Sequence, residues 1–473
     1  MQTDCSLSQL SFQAFNGRTV NASFDGGHIT SDAGGLLLRE IEEGQAFIHR
    51  FSQCFKDLRD ARFVEHSVYQ LVSQRTYGLC FGNEDLNDHD QLRSDPLLAL
   101  LCGKKDLEGK ARRNVRDRGK ALAGKSTLNR LETAGDANRP RYKKIIAETA
   151  ALEEYFVQSF LRTTKKPPEL LILDFDATDD PLHGKQEGRF FHGYYDCYCY
   201  LPLYIFCGRH LLAAKLRPAN IDGAAGAVEE LARIIAQIRR RWRHVRILVR
   251  GDSGFARDDL MAWCEANGVD YVLGVGKTAP LITKIADELA RAEAKSRRSG
   301  RPERCFKDFR WITKTKTWSQ PRRVVAKAEW TNGEANPRFI VTSLTRRECR
   351  ARHLYEKIYC ARGDMENRIK ECQTDLFADR TSTETMRANQ LRLWFASMAY
   401  VLMCALRRIA LCDTEFADMT CGTIRLKLLK IGAVVTKSVR RIKIAMASGC
   451  PSAQVWALAA ERLTAVNVRG SPT

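Results

Sequence analysis

The decapeptide Glu169–Thr178, ELLILDFDAT, constrains this chain more than any other stretch. It follows Lys165-Lys166-Pro167-Pro168, where proline's missing donor and its bias on the preceding residue mark a boundary. Its apolar residues are continuous rather than alternating. Such a run predicts a strand covered on both faces, and so a sheet with helices packed against it. Asp174 and Asp176 stand at its C-terminal end, two residues apart and therefore on one face.

The elements that follow fit a sheet of that kind. Strands are expected at Arg189–Tyr195, Tyr200–Cys207, His244–Arg250 and Val269–Val275, with helices at Ala224–Arg241 and Asp258–Asn267. This β-β-β-α-β-α-β order describes an α/β fold with a mixed sheet. Residues 277–350 break the rhythm, first with Lys and Arg, then with β-forming runs at Arg322–Trp330 and Arg338–Ser343. They predict a β-rich insertion with a small sheet of its own. Helices at roughly Arg352–Cys372 and Thr385–Leu411 come next.

Before the proline pair, short strands (Ser11–Phe15, Arg18–Phe24) precede a mainly helical region, with Ser31 or Asp32 as candidate cap for its first helix. The expected division is 1–165, N-terminal and mainly helical; 166–276 and 351–412, two parts of one α/β core; 277–350, the insertion; and 413–473, a basic helical tail. Two or three folded units suit a chain of 473 residues.

Charge narrows the choice of partner. Lys and Arg total 76 against 56 Asp and Glu, a net +20 that favours a polyanion, since each cation set on a phosphate releases condensed counterions. The surplus concentrates in Lys104–Lys125, which reads either as a solvated loop or as a phosphate-contacting one, and in Arg239-Arg240-Arg241-Trp242-Arg243-His244. The second run ends a helix, where cations oppose the negative dipole end. That accounts for two or three charges, and DNA contact by Arg239, Arg240, Arg241 and Arg243 accounts for the rest. The longest apolar run, Leu393–Leu406, has 14 residues between Arg392 and Arg407, too short for a bilayer and suited to a core helix. No secretory pattern opens the chain and its 16 cysteines form no CxxC pair, so a cytoplasmic setting with reduced thiols and no membrane is expected.

Two more acids stand out by context. Asp252, in RILVRGDSGF, sits where a second apolar strand meets a glycine-flanked turn, and Glu366, in YCARGDMENRIKE, lies on an expected helix. Gathered carboxylates repel one another unless a cation neutralises them. Hard divalent ions take oxygen ligands, and a pair of them can activate an attacking oxygen and stabilise a leaving one in phosphodiester displacement. On the Glu366 helix, Tyr359, Arg362, Glu366 and Lys370 share one face at 100° per residue. A hydroxyl, a guanidinium, a carboxylate and an ammonium on one stripe suit either a solvated face or a metal-bound phosphate backbone.

Three other patterns read as structure. Gly119–Ser126 fits GxxxxGK[ST] but follows a cationic segment instead of a buried strand. Gly274–Ala279 fits GxGxxA but lacks the surrounding dinucleotide-binding unit, and reads as a loop leaving the last core strand. His183, His192, Cys197 and Cys199 match no common zinc spacing and read as packing.

The run Tyr359-x2-Arg362-x3-Glu366 resembles the Y-(2)-R-(3)-E-(6)-K signature of DDE transposases from bacterial insertion sequences. DFDAT, RGDSGF and ENRIKE occur in the order found there. FDGGHITSDAGGLLLRE, GNEDLNDHDQLRSDP and TIRLKLLKIGA resemble one branch, the insertion-sequence family thirteen-eighty. The resemblance implies a ribonuclease-H-like core whose catalytic and metal-binding residues are Asp176, Asp252 and Glu366, with Asp174 as alternative to the first. It implies Mg²⁺ (or Mn²⁺), double-stranded DNA partners (terminal inverted repeats and target), and a homodimer on DNA in a bacterial cytoplasm. Tyr359 and Arg362 would hold the DNA backbone. The signature's lysine falls on Gln373, leaving Lys370 to supply that charge. The rival readings are a ribonuclease-H-fold nuclease such as a resolvase, and a decayed DNA-binding protein, toward which Gln373 leans.

Overall fold

The computed structural model describes residues 9–133, 144–164, 166–313 and 317–470, which leaves Lys165 of the expected boundary outside. Contacts group residues 147–401 as one unit and residues 1–146 with 402–473 as another. The expected boundary therefore needs correction. Helix α1 (Thr149–Thr163), assigned to the N-terminal region by its sequence, belongs with the sheet, because Val157, Phe160 and Leu161 are buried in the same core as the apolar strand. The C-terminal residues are likewise no separate tail. Their helix Ala453–Gly470 packs on Leu36–Gln45.

In residues 147–401, the decapeptide forms β1 (Leu170–Ala177) in the middle of a nine-stranded mixed sheet. β2 (Leu203–Cys207) runs antiparallel beside it, and β3 (His210–Lys215) antiparallel beside β2. On its other side β4 (Arg246–Gly251) is parallel, followed by parallel β5 (Asp270–Val275). Helices α2 (Ala227–Arg241) and α3 (Asp258–Ala266) make the crossovers. The sheet then continues through three strands of the insertion, β6 (Glu303–Trp311), β7 (Arg322–Thr331) and β8 (Arg338–Thr342). The order is β3-β2-β1-β4-β5-β8-β7-β6, with Glu334–Ala335 paired to β7.

The insertion thus carries no independent sheet. β8 pairs antiparallel with β5 from Val272↔Thr342 to Val275↔Phe339, satisfying backbone groups that a buried β5 would otherwise leave unpaired. The insertion also opens on helices, Ala279–Lys284 and α4 (Ala286–Ser299), rich in Ala, Glu, Lys and Arg, which favour helix.

Alternation along β1 sorts its side chains. Leu171, Leu173 and Phe175 enter the larger core with Ile234, Ile238, Val249 and Met261. Each such side chain, fully buried, contributes about 1.5–3 kcal/mol. Ile172 faces the other way, onto a second cluster with Leu248, Val272, Leu354 and Tyr355. Asp174 and Asp176 share its parity, so both acids lie on the face covered by the chain from Leu354 onward. That helical run is irregular: a π segment (Leu354–Tyr359), a 3₁₀ turn (Cys360–Arg362), α5 (Gly363–Lys370) and a second π segment (Glu371–Asp375). Such departures from α geometry are frequent at functional positions. The long apolar helix α6 (Met386–Ile409) follows.

In the other unit, helix Val68–Cys80 starts on a capping box, Ser67 with Gln70, and is buried over most of its length. The expected cap at Ser31 or Asp32 is absent. A 3₁₀ turn (Ala33–Gly35) intervenes, and the Asp32 carboxylate takes the Ser31 hydroxyl and the Lys430 ammonium instead of helix N–H groups. A 3₁₀ turn (Val115–Asp117), not a strand, leads into Gly119, which agrees with setting the P-loop pattern aside. No described helix is long and apolar enough to cross a membrane.

Candidate active site

The sheet register brings the acids together. β1 and β4 are parallel with Arg250↔Asp174 and Gly251↔Phe175 as the last pairs, so Asp252, one residue on, comes out beside Asp176. Gly251 ends the strand and a 3₁₀ turn (Ser253–Phe255) begins at once. The Asp252 carboxylate caps it by accepting the Gly254 N–H at 2.9 Å. Glu366 arrives on α5, and Arg362 ties it in. One guanidinium nitrogen lies 3.0 Å from Asp176 Oδ2 and another 2.9 Å from Glu366 Oε1. Asp176, Asp252, Tyr359, Arg362 and Glu366 therefore gather at the C-terminal ends of β1 and β4.

Burial dominates the electrostatics of the site. Burial raises the Asp176 carboxyl from 3.8 to about 6; Arg362 opposes the shift and the neighbouring Asp252 adds to it. Burial and Asp252 likewise raise the Tyr359 hydroxyl, against Arg362. The Arg362 guanidinium, loosened by burial, is held charged chiefly by Asp176, Tyr359 and Glu366. Glu366 keeps a side chain 61% exposed, whereas Arg362 and Asp176 are each 15% exposed.

Asp174 has a different environment. It is 1% exposed and bound through both oxygens by Arg250, at 2.5 and 2.8 Å, with Arg368 3.9 Å away. Arg250 also donates to the Ile358 carbonyl at 2.7 Å, fastening the first π segment to the sheet. Asp174 is thus an anchor that orients the helix run over β1.

Gln373 points at the same strand end. Its amide donates to the Asp179 carbonyl at 3.0 Å and to Asp180 Oδ1 at 2.9 Å. Asp180 is fully buried, and that burial pushes its carboxyl up to about 8, so it is protonated at neutral pH. A neutral amide against a neutral acid is a matched pair; an ammonium there would demand ionised Asp180. Lys370 is exposed, with no ion-pair partner among the described residues.

The basic run falls elsewhere. His244 leads into Arg246, which pairs with Leu170, so the run lies at the opposite end of β4 from Asp252. Arg239 caps the Asn267 and Gly268 carbonyls and Arg241 reaches Thr164. In the other stretch, Lys104 donates to the Glu65 carbonyl and Arg112 pairs with Glu65 at 2.8 Å, so part of that charge serves the fold.

Gly274 on β5 was legible only as part of a weak glycine pattern. A Cβ there would stand 2.6 Å from the Tyr359 hydroxyl, 2.9 Å from the Ser253 nitrogen and 3.1 Å from the Asp252 carbonyl carbon. The site closes over a position that admits no side chain. Arg250, Arg368 and Asp180 were likewise not singled out, though a charge inside an apolar strand, as in RILVRGD, is a signal that finds such partners.

As arranged, no three His, Cys, Asp or Glu side chains among the described residues surround a common point. Arg362 occupies the position of counter-cation. The donor set is nevertheless all oxygen, burial disfavours the charged form of Asp176, and Glu366 is exposed, so these residues fit a hard divalent cation if Arg362 yields.

A family model described as transposase DDE domain group 1 matches residues 12–468. No curated protein matches the sequence. Among solved structures, the piggyBac transposase synaptic complex with hairpin DNA is similar at TM-score 0.39 and 12% identity, covering 85% of this chain and 80% of that one. That likeness is too weak to carry a fold or a site across.

Proposed function

The chain belongs to the transposase DDE domain group 1 family, and on that premise we propose that it cuts DNA at the ends of an insertion sequence and joins the freed ends to a target, with Asp176, Asp252 and Glu366 as its catalytic acids. The observation that carries this reading is the Arg362 bridge: Asp176 and Glu366, 190 positions apart, meet on one guanidinium beside Asp252. The strand order β3-β2-β1-β4-β5, with β2 antiparallel, supports a ribonuclease-H-like core.

Asp176, Asp252 and Glu366 would hold Mg²⁺, or Mn²⁺ in its place, which supplies charge neutralisation at the attacking and leaving oxygens of a phosphodiester. Asp176 is better placed than Asp174, whose oxygens are closed off by Arg250. Arg362, released from its carboxylates, binds a backbone phosphate in bidentate fashion. Tyr359, fixed over Gly274, places its hydroxyl beside that phosphate. Gln373 positions the helix through Asp180 and leaves the phosphate to Arg362 and the exposed Lys370. Arg239, Arg240, Arg241 and Arg243 at the far strand end would meet DNA away from the cut. Two ends must be joined in one event, so two copies act together on paired inverted repeats in a bacterial cytoplasm.

The test uses a donor plasmid carrying the inverted repeats that flank the gene. Wild type with Mg²⁺ releases the element, and Asp252→Ala binds the ends without cutting. Wild-type binding without cleavage in Mg²⁺ or Mn²⁺ would defeat the reading.

A further inference from the structure

Between β1 and β2 the chain makes a three-stranded sheet, Asp180–Pro181, Cys197–Tyr200 and Phe190–His192, whose outer face the reaction above does not use. Its inner face is settled: Cys199 is buried with Leu201 and Ala219 against Ala177. Its outer face is bare. Phe191 and Tyr198 pair directly across the strands, edge to face at 5.5 Å, yet remain 52% and 44% exposed. The Arg189 guanidinium lies 3.8 Å over the Tyr198 ring, and its Nε has no hydrogen-bond partner. At the connecting turn Tyr194 is 85% exposed.

We propose that this face, Arg189, Phe191 and Tyr198 with Tyr194 at its tip, is a stacking platform for an unpaired nucleobase of the DNA strand at the carboxylate site. The inference rests on the DNA-cutting function proposed above. Three observations select this occupant. The exposed apolar groups are aromatic rings with a stacked guanidinium and include no aliphatic side chain, which suits a planar ligand. The tip of the platform reaches toward the site: Tyr194 packs edge to face on Tyr195 at 5.0 Å, and the Tyr195 hydroxyl donates at 3.3 Å to the Ala177 carbonyl, next to Asp176. Finally, the backbone of the turn is tied, with Asp196 at φ 53° and its N–H on the His192 carbonyl at 2.9 Å, which holds the two strands bearing the rings in register.

The test uses full-length protein and two probes, a blunt duplex of arbitrary sequence and the same duplex with a short single-stranded overhang containing 2-aminopurine. The overhang probe should bind more tightly than the blunt one, with its fluorescence quenched. Phe191→Ala with Tyr198→Ala should erase that preference, about 5- to 150-fold per stacked base, and the quench, while blunt-duplex affinity stays unchanged. Phe191→Tyr with Tyr198→Phe should retain both. Equal binding of the two probes, or an unquenched overhang, overturns the platform and leaves the DNA-cutting reading standing. Failure to bind either probe removes both. Loss of self-association in the alanine variant would instead mark the face as an interface between copies and overturn the proposal.

Discussion

Replacing Asp176 with Asn should stabilise the metal-free protein, and the structure sets the size of the gain. The Asp176 carboxyl is raised from 3.8 to about 6, so its ionisation costs about 3 kcal/mol more in the folded chain than in the unfolded one. Arg362 already contributes to that balance. Asn keeps an acceptor for the Ala177 N–H and mimics the protonated acid. At pH 7.5 Asp176→Asn should therefore gain about 1–3 kcal/mol. The folded state binds the proton more tightly, so wild-type stability from this group is complete below about 4 and lost as pH rises through about 6. The advantage of the variant should shrink accordingly toward pH 4. Six of the seven tryptophans lie in residues 147–401, so urea unfolding followed by tryptophan fluorescence in EDTA reports mainly on this unit. A variant less stable than wild type at pH 7.5, or a gain independent of pH, would refute the burial-driven raising of the Asp176 carboxyl.

The other predictions address the supports of the site. Arg250→Met leaves Asp174 buried without its partner and should cost about 3–5 kcal/mol, whereas Arg250→Met with Asp174→Leu should recover most of it, both read by urea midpoints. Gly274→Ala should fold yet lose at least about tenfold in cleavage, because about 0.5–1 Å of displacement at Tyr359 or Asp252 spoils a positioned phosphate, and Tyr359→Phe should restore part of it. Asp180→Asn should match wild type only below about pH 4, where the carboxyl is protonated in both folded and unfolded chains, and exceed it by a margin that grows as pH rises from about 4 to about 8 and then levels off; a pH series of melting temperatures checks this.

The sheet and the candidate site it carries were legible because their signals are local. ELLILDFDAT and RILVRGD announce two buried strands, and once both are in one parallel sheet the register alone puts Asp252 beside Asp176. The α-helical spacing placed Arg362 and Glu366 on one side, and they bond there. What the sequence left hidden depended on long-range partners. The strands of residues 277–350 look the same whether they pair with each other or, as they do through β8, with β5. His210–Lys215 was overlooked because a two-residue turn separates it from β2 and its composition is as apt for helix as for strand. Asp174 and Asp176 are equivalent by spacing, and only the Arg250 contact, which takes both Asp174 oxygens, tells them apart. Gln373 read as the loss of a charge because its partner, a buried protonated Asp180, lies 193 positions away.

Anomalous diffraction from crystals of the full chain soaked in Mn²⁺ with an end-sequence DNA tests the central assignment most directly. The predicted result is a peak coordinated by the side chains of residues 176, 252 and 366, with the Arg362 guanidinium moved from its carboxylates to a phosphate. A peak elsewhere, or Arg362 still bridging Asp176 and Glu366 beside bound DNA and saturating Mn²⁺, would contradict it.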